Sequence, residues 1–247
     1  MQDKSKQEKD NTGDKINDFI QRNRKAIFVI SGLVVILFIG AVVYFAVNDS
    51  VSKNAAAKLE DLITKYDELK AHTHDDGHNH DGHDHDIDEY DHDLDEHDHD
   101  GEIDAFLDEI KVFAAKTRGI SGSKAWAIVG EIYVEKKDWA LAEEAFIASA
   151  RAGGKTYLGP LSYFNAAAAA EELGNYESAI NLLQKSLSLK MEFPSAPRAQ
   201  FAIGRLNEKL GNTPDAIAAY REVLEKWSQL PAWQQLAQSR ITALETK

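Results

Sequence analysis

The chain has 247 residues, enough for one substantial domain with additional segments. It contains no cysteine, which excludes disulfides and thiolate metal sites. The formal net charge of −13 comes entirely from the segment His72–Asp100, which has eleven Asp, two Glu and no Lys or Arg. The remaining residues carry 28 acidic and 28 basic side chains, so we expect no nucleic-acid partner.

A long uncharged stretch near the start of the chain predicts a transmembrane helix. Residues 1–25 are polar, and we expect a tail with a disordered start that runs into a short juxtamembrane helix. The next 22 residues, 26–47, carry no charge. At about 1.5 Å of rise per residue, a helix of this length crosses the roughly 30 Å of hydrocarbon in a bilayer. The alternatives are a buried core helix and a cleaved signal peptide. A small-x-small cleavage motif is missing, because Tyr44 lies two residues before Ala46.

The charges on either side of this stretch predict its orientation. Arg22, Arg24 and Lys25 precede it, whereas the first charged residue after it is Asp49. The positive-inside rule then places the N-terminal tail in the cytoplasm and everything after Asn48 outside it. We therefore expect a single-pass protein of a bacterial inner membrane, with its C-terminal domain in the periplasm.

Two stretches with the apolar stripe of an amphipathic helix follow, at residues 53–71 and 102–118. The residues between them, 72–101, have few apolar side chains and a high charge density, so they cannot bury enough surface to fold alone. We expect a disordered His/Asp-rich insertion there. The helix at 53–71 needs a partner for its apolar stripe, and the insertion does not supply one.

All nine histidines of the chain lie in the insertion, and eight of them form four His-x-His pairs. Residues two apart point to the same side of an extended chain, so each pair can chelate one ion. Imidazole suits Zn, Ni and Cu, and the interleaved Asp residues offer oxygen ligands. We expect no required cofactor, but weak binding of one of these metals. The predicted ligands are His72, His74, His78, His80, His83, His85, His92, His97 and His99. The alternative is an acidic spacer in which the histidines are incidental.

Small residues recur every 37 positions along the chain. Gly130, Ala167 and Gly204 keep this step, and so do four alanines: Ala105, Ala142, Ala179 and Ala216. A fixed period of this size is typical of stacked helical repeats. We expect the small residues where the two helices of one hairpin cross, because a larger side chain would push the helices apart.

Motif residues accompany this period in three units. They are Trp126, Val129, Gly130, Tyr133, Ala142 and Phe146; then Tyr163, Ala166, Ala167, Ala170, Ala179 and Leu183; then Ile203, Gly204, Ala216 and Tyr220. The pattern resembles the tetratricopeptide repeat (TPR), a helix–turn–helix unit of about 34 residues. The third unit departs from it with Gln200 at the Trp position. The resemblance implies three units over 123–230 and a capping helix over 231–247. The cap is expected to turn Trp233, Leu236, Ala237, Ile241 and Leu244 inward.

The period also predicts a fourth hairpin before these three. One step back from Ala142 lies Ala105, within the predicted helix at 102–118. That helix would be the second of its hairpin, and the helix at 53–71 would be the first. The two should pack together with the His/Asp insertion between them. The predicted fold is therefore all-α, with a transmembrane helix, a TPR-like solenoid of about four hairpins and a capping helix.

An N-terminal anchor followed by a TPR stack resembles a family of single-pass bacterial inner-membrane proteins that includes the ancillary subunit of the Sec translocon. The resemblance runs from about Phe19 to Leu244 and includes the lead-in Gln-Arg-Asn-Arg-Lys and the closing Ala-Gln-Ser-Arg-Ile-Thr-Ala-Leu. It implies a non-enzymatic scaffold that binds proteins near the translocon or an envelope assembly machine. The His/Asp insertion departs from this family's pattern.

The first helices of TPR hairpins usually build a concave face that binds peptides or proteins. The residues predicted to line it here are Lys124, Glu131, Phe164, Ala168, Glu171, Phe201, Arg205 and Lys209. Phe164 and Phe201 are 37 residues apart and could anchor an apolar segment of a partner. The alternative is that both belong to the core between repeats.

Enzymatic patterns are weak in this chain. Gly154-Lys155-Thr156 is similar to part of a phosphate-binding loop, but Ser149 stands where the first Gly of that motif is required. We predict a protein that is not an enzyme. The competing hypothesis to the scaffold is a protein that buffers or delivers metal through its His/Asp insertion.

Overall fold

The computed structural model describes residues 21–74, 99–189 and 191–246 of the chain. Throughout these ranges the regular structure is helical and contains no strand, which confirms the predicted all-α fold there. The chain divides into two compact units, Met1–Asn54 and Ala55–Lys247. The helices, numbered in chain order, are α1 (Arg24–His74), α2 (His99–Lys116), α3 (Gly119–Glu135), α4 (Trp139–Gly153), α5 (Leu158–Glu172), α6 (Tyr176–Ser188), α7 (Ala196–Lys209), α8 (Thr213–Lys226) and α9 (Pro231–Glu245).

The first unit contains the N-terminal part of α1. Residues 48–52, which separate the predicted anchor from the next predicted helix, are themselves helical, and Lys53 Nζ lies 2.8 Å from Asp49 Oδ2 one turn earlier. No Gly or Pro interrupts the helix at this point. Over the described part of the chain, no helix has the length and apolarity needed to cross a membrane. The span at 26–47 stays a prediction.

The second unit begins with a hairpin formed by α1 and α2. Tyr66 and Phe106 stack with ring centroids 5.5 Å apart, and Glu109 accepts hydrogen bonds from Lys58 and Lys65 at 3.2 and 2.7 Å. The packing that the repeat period predicts between these helices is therefore present. Both helices extend into the predicted insertion, because α1 ends at His74 and α2 begins at His99. The rest of the insertion, 75–98, lies outside the described residues.

Three further hairpins follow, α3–α4, α5–α6 and α7–α8, each in the predicted place. Ala142, Ala179 and Ala216 are fully buried, as the ladder predicts. Ala105, the fourth member of the ladder, is exposed, and its neighbour Phe106 is fully buried instead. The prediction for Ala105 was wrong because the step between α2 and α4 is 36 residues rather than 37.

Two glycines allow the helices of a hairpin to approach closely. A Cβ atom added to Gly130 would lie 2.6 Å from Cε1 of Phe146, and one added to Gly204 would lie 2.6 Å from Cε1 of Tyr220. In the hairpin between them, Ala167 occupies the glycine position and Leu183 the aromatic position. A larger side chain on one helix is thus matched by a smaller one on the other, which keeps the crossing distance similar.

Buried serines join the two helices at the other end of two hairpins, α3–α4 and α5–α6. Ser149 Oγ donates to the carbonyl of Ser123 at 2.7 Å, and Ser186 Oγ donates to the carbonyl of Pro160 at 2.8 Å. The two contacts are equivalent, because both donors and both acceptors are 37 residues apart. Val223 stands at the serine position in the last hairpin and is buried without a hydroxyl.

The helix α9 caps the last hairpin and has a small core of its own with α8. This cluster is separate from the main apolar cluster, which extends from the first hairpin into α7 and α8. Its members are Ala216, Tyr220, Val223, Ala237 and Ile241. Among the residues predicted to face inward, Trp233 and Leu244 pack against it as expected. Leu236 is 48% exposed, which corrects the prediction for that residue. The buried stripe follows positions 233, 237, 241 and 244, and Leu236 lies off it.

Candidate protein-binding grooves

The first helices of the hairpins form the inner layer of the stack in the second unit. α3 packs on α5, and α7 packs on α9, in addition to the contacts that each makes within its own hairpin. All eight residues predicted to bind a partner lie on three of these first helices, α3, α5 and α7. Two of them line a groove with residues of the first hairpin, and most of the others contact neighbouring helices of the stack.

Lys124 and Glu131 line a groove between α1 and α3, which we call the α1–α3 groove. It has a volume of about 470 Å³. The residues that line it are Ile63, Tyr66, Asp67, Lys70, Lys124, Ala127, Ile128 and Glu131. Its wall on α1 was not predicted, although the assignment of residues 53–71 as a first helix places them on the same face.

Charged groups surround the apolar floor of the α1–α3 groove. Lys70 Nζ donates to Glu135 at 2.7 Å, and its ammonium lies 5.2 Å from the centroid of the Tyr66 ring. Burial, with repulsion from Glu135, raises the pKa of Tyr66 to about 12, so its hydroxyl stays a neutral donor. Desolvation by the groove walls raises the pKa of Glu131, an effect that Lys70 opposes. The groove therefore presents apolar surface flanked by charges of both signs.

Glu171, Arg205 and Lys209 bind one another across the interface between α5 and α7. Arg205 donates to both carboxylate oxygens of Glu171, and Lys209 Nζ lies 2.8 Å from Oε1. The hydrogen bonds from Arg205, ahead of those from Lys209, lower the pKa of Glu171 to about 2. The side chain of Glu171 is 19% exposed. These three predicted binding residues thus pair with one another and hold two repeats together.

The two predicted aromatic anchors both pack against other aromatic rings of the stack. Phe164 packs edge-on against Phe193 at 6.0 Å, and the guanidinium of Arg198 lies 5.6 Å from its ring centroid. Phe201 packs against Tyr220 at 4.9 Å and against Trp233 at 5.7 Å. Both rings are half-buried, so they contribute to the core between repeats. The remaining predicted residue, Ala168, is exposed on α5.

A larger groove lies between α6 and α8, with α7 as its floor. We call it the α6–α8 groove; it has a volume of about 670 Å³. Its lining residues are Ile180, Gln184, Leu187, Ser188, Gln200, Ile203, Asn207, Asp215, Ala218, Ala219, Glu222 and Lys226. This groove was not predicted from the sequence, because the predicted binding residues lie only on the first helices. The substitution of Gln200 for the aromatic residue of the motif was the available signal.

The predicted metal ligands stay a prediction. Most of them lie in 75–98, outside the described residues, and of His72, His74 and His99 the structure describes only the helical backbone. In the part of the chain that was placed, no group of three or more His, Asp or Glu side chains is arranged to hold a metal ion.

The hairpins match a known family of repeats. Residues 130–190 and 164–231 fit the sequence profile of the Tetratricopeptide repeat family. Over these residues the chain is similar to the tetratricopeptide repeat. The matched residues cover α4 to α8 and the end of α3, and they include the Gly-aromatic crossings of the second and fourth hairpins. The match supports the predicted TPR resemblance over residues 130–231.

A TPR repeat-containing protein of Treponema pallidum (strain Nichols) is 36% identical over 126 residues. The match covers 51% of this chain and 52% of the relative, so the chain spans about half the length of that protein. Among solved structures, the Arabidopsis OM64 TPR domain is 21% identical, with 49% of this chain and 94% of that chain covered and a TM-score of 0.40. A Podosopora anserina protein with nearly identical TPR-like repeats is 14% identical, with coverages of 60% and 79% and a TM-score of 0.45.

Proposed function

We propose that this chain is a scaffold whose TPR hairpins bind a segment of a partner protein in the α1–α3 groove. The observation that carries the proposal is the groove itself, which combines the apolar floor of Ile63 and Ile128 with Lys124 and Glu131 at its edges. An apolar anchor and a polar rim are the usual elements of a protein-binding surface. TPR proteins are typically scaffolds without enzymatic activity.

Site-specific photo-crosslinking tests this function. A photoreactive amino acid in place of Lys124, which is exposed in the groove, should crosslink a partner in cells. The matched control is Glu144, which is also exposed and lies on α4 outside the groove. A partner that crosslinks from position 124 and is lost when Ile63→Glu is added supports the proposal. Equal crosslinking from both positions contradicts it.

We further propose that Phe164, Ala168 and Phe201 extend the binding surface along the inner layer. Ala168 is exposed on α5, and the rings of Phe164 and Phe201 each keep a partly exposed edge. The cluster of Glu171, Arg205 and Lys209 would then hold these repeats in register rather than bind the partner. Ala168→Arg should weaken capture of the partner that crosslinks from position 124 if the surface extends this far.

The proposed site of action is the outer face of a bacterial inner membrane, near the secretion translocon or an envelope assembly machine. Support comes from the sequence, which has 22 uncharged residues at 26–47 after three basic residues. In addition, the described apolar side chains from Leu33 to Ile39 are at least 55% exposed. Membrane fractions washed with carbonate should retain the chain. The double variant Val35→Arg/Ile39→Arg should release it, and Val35→Leu/Ile39→Leu should not.

We propose, as a second function, that the His/Asp insertion binds a divalent metal such as Zn, Ni or Cu. All nine histidines of the chain lie within 29 residues, which is hard to reconcile with a simple spacer. Metal competes with protons for imidazole, so weak binding measured by titration calorimetry with ZnCl₂ should be detectable at pH 7.5 and nearly lost at pH 5.5. Deletion of 72–100 should abolish it. If crosslinking from position 124 survives that deletion, the scaffold function does not depend on the metal.

A further inference from the structure

The α6–α8 groove lies on the second helices of two hairpins, whereas the α1–α3 groove is built by first helices. Its floor contains Gln200, Ile203 and Asn207 of α7, and its walls contain Leu187 of α6 and Ala219 of α8. A smaller pocket of about 160 Å³ adjoins it and shares Leu187, Gln200 and Lys226 with it. The main volume of about 670 Å³ is within the range of ligand-binding pockets, roughly 300–1,000 Å³.

Comparison with the preceding repeat shows why this groove is open. At the equivalent interface, Tyr163 stands in place of Gln200, and Ser178 Oγ donates to Glu143 at 3.1 Å to join α4 to α6. At the positions 37 residues later, Ile180 replaces Glu143 and Asp215 replaces Ser178. An isoleucine side chain cannot accept a hydrogen bond, so this link between second helices is absent. The loss of an aromatic ring and of a bond between second helices leaves the space unfilled.

The floor of the α6–α8 groove combines apolar surface with two buried amides. Gln200 Nε2 donates to the carbonyl of Ala219 at 3.3 Å, and Asn207 Nδ2 donates to the carbonyl of Ile203 at 2.9 Å. Each amide thus uses a donor inside the protein and keeps its side-chain oxygen as an acceptor. Acceptors on an apolar floor suit the N–H groups of an extended peptide backbone.

The wall formed by α8 is acidic. Asp215 and Glu222 lie on it, and Glu222 pairs with Lys226 at a distance of 2.6 Å. On the opposite wall, Gln184 and Ser188 of α6 are uncharged. One carboxylate, that of Asp215, is therefore in excess at the edge of the groove. Charge complementarity favours a basic group in the ligand.

We propose that the α6–α8 groove binds an extended segment of a partner protein in which a Leu- or Met-sized side chain lies next to a Lys or Arg. The apolar side chain fills the space that the ring of Tyr163 fills in the preceding repeat, and the basic side chain pairs with Asp215. The site differs from the α1–α3 groove in residues and in helices. A single molecule therefore holds two partner segments, one on each layer of the stack.

Peptide selection on the full chain in detergent micelles tests this site. The probe is a displayed library of random twelve-residue peptides, and the dissociation constants of selected peptides are measured by fluorescence anisotropy. A class rich in aliphatic and basic residues should emerge. Gln200→Tyr, which restores the residue of the preceding repeat, should weaken its binding at least tenfold, and Asp215→Asn should weaken it about three- to tenfold.

A second variant keeps the test valid if Gln200→Tyr fails to fold. Ala218 is exposed on the α8 wall, so Ala218→Arg is expected to fold, to obstruct the groove and to repel a basic ligand. Lys124→Ala, in the α1–α3 groove, should leave this class of peptides unaffected. The proposal is overturned if no selected peptide loses affinity for Ala218→Arg, or if those that do are acidic. Peptides that depend on Lys124 alone would support the proposed function and contradict this second site.

Discussion

Gly130 and Gly204 mark the closest approach of the two helices in their hairpins. Each faces an aromatic ring at a distance that leaves no room for a methyl group. The intervening hairpin solves the same problem with Ala167 and Leu183, which shows that the pair of residues, rather than glycine alone, sets the helix spacing.

Gly130→Ala should lower the free energy of unfolding by about 1–3 kcal/mol, because the new methyl group overlaps the ring of Phe146. Adding Phe146→Leu should recover stability relative to Gly130→Ala, since the double variant reproduces Ala167 and Leu183. All four Trp residues lie in the second unit, so Trp fluorescence during urea unfolding measures these changes. A double variant less stable than Gly130→Ala would contradict the pairing.

The ion cluster of Glu171, Arg205 and Lys209 should make stability depend on pH in acid. The pKa of Glu171 is about 2 in the folded chain and lies below its value of about 4.3 in an unfolded chain. The carboxylate therefore stabilises the fold above pH 4.3, and this contribution is lost as the pH falls towards 2.

Relative to Glu171→Gln, the natural chain should be more stable by about 1–2 kcal/mol at pH 6, and the difference should vanish near pH 2. The difference is smaller than the pKa shift alone implies, because Arg205 and Lys209 are 42% and 41% exposed and solvent screens them. Urea unfolding at each pH measures it. Glu172→Gln, at an exposed neighbouring position, is the control. A pH-independent difference would show that Glu171 acts by packing instead.

The two helices of a hairpin contact each other closely where they cross, through a small residue packed against a large one. In the α3–α4 and α5–α6 hairpins, serine hydroxyls also join them near the start of the first helix. The network around Ser149 is the larger, since its hydroxyl also lies 3.1 Å from that of Ser123 and 2.7 Å from that of Ser162. Ser186 makes a single bond to the carbonyl of Pro160. Both serines are fully buried, so the loss of a hydroxyl is not compensated by water.

Ser149→Ala should cost more stability than Ser186→Ala, with losses of about 2–3 and about 1 kcal/mol. Ser149→Ala removes the hydroxyl that contacts both Ser123 and Ser162, whereas Ser186→Ala removes a single hydrogen bond. Val223→Ala, at the equivalent position of the last hairpin, removes only methyl groups and gives the cost of packing alone. Thermal unfolding followed by circular dichroism ranks the three, and equal losses at both serines would contradict the account.

Helix positions were predictable because apolar periodicity and glycine turns are local signals. Gly174 and Gly211 end α5 and α7 with a φ of +75°, a conformation that favours glycine. Ala105 was misplaced because the spacing between α2 and α4 is one residue shorter than the spacing between the later second helices. Neither groove follows from one helix, since each depends on side chains from two or three helices at once. The ion cluster was missed for the same reason. Its residues were predicted to face a partner, but they lie on neighbouring helices and pair with each other.

At the scale of the whole second unit, the apolar core is divided. The main cluster runs from Leu59 to Ala219, and the smaller one joins α8 to the cap through residues such as Tyr220 and Ile241. Neighbouring repeats stabilise one another only through their shared interfaces, so damage at one end need not spread.

Ile241→Ala should cost about 2–4 kcal/mol of local stability in the smaller cluster. Amide hydrogen exchange should then accelerate in α8 and α9, while α3 and α4 exchange at the rates of the natural chain. Ile132→Ala, in the main cluster, is the matched variant and should accelerate exchange in α3 and α4. Uniform acceleration along the chain after Ile241→Ala would show that the two clusters unfold as one.

The α6–α8 groove lies across the boundary between these clusters. Its lining includes Ile203 and Ala219 of the main cluster, and the adjoining pocket includes Trp227, which packs against the smaller one. A ligand bound there loses its site when either cluster unfolds. Binding therefore raises the free energy of partly unfolded forms relative to the folded one. A bound ligand would thus make the two clusters unfold in one cooperative transition. The C-terminal end of the repeat array would then be as stable against local unfolding as its middle.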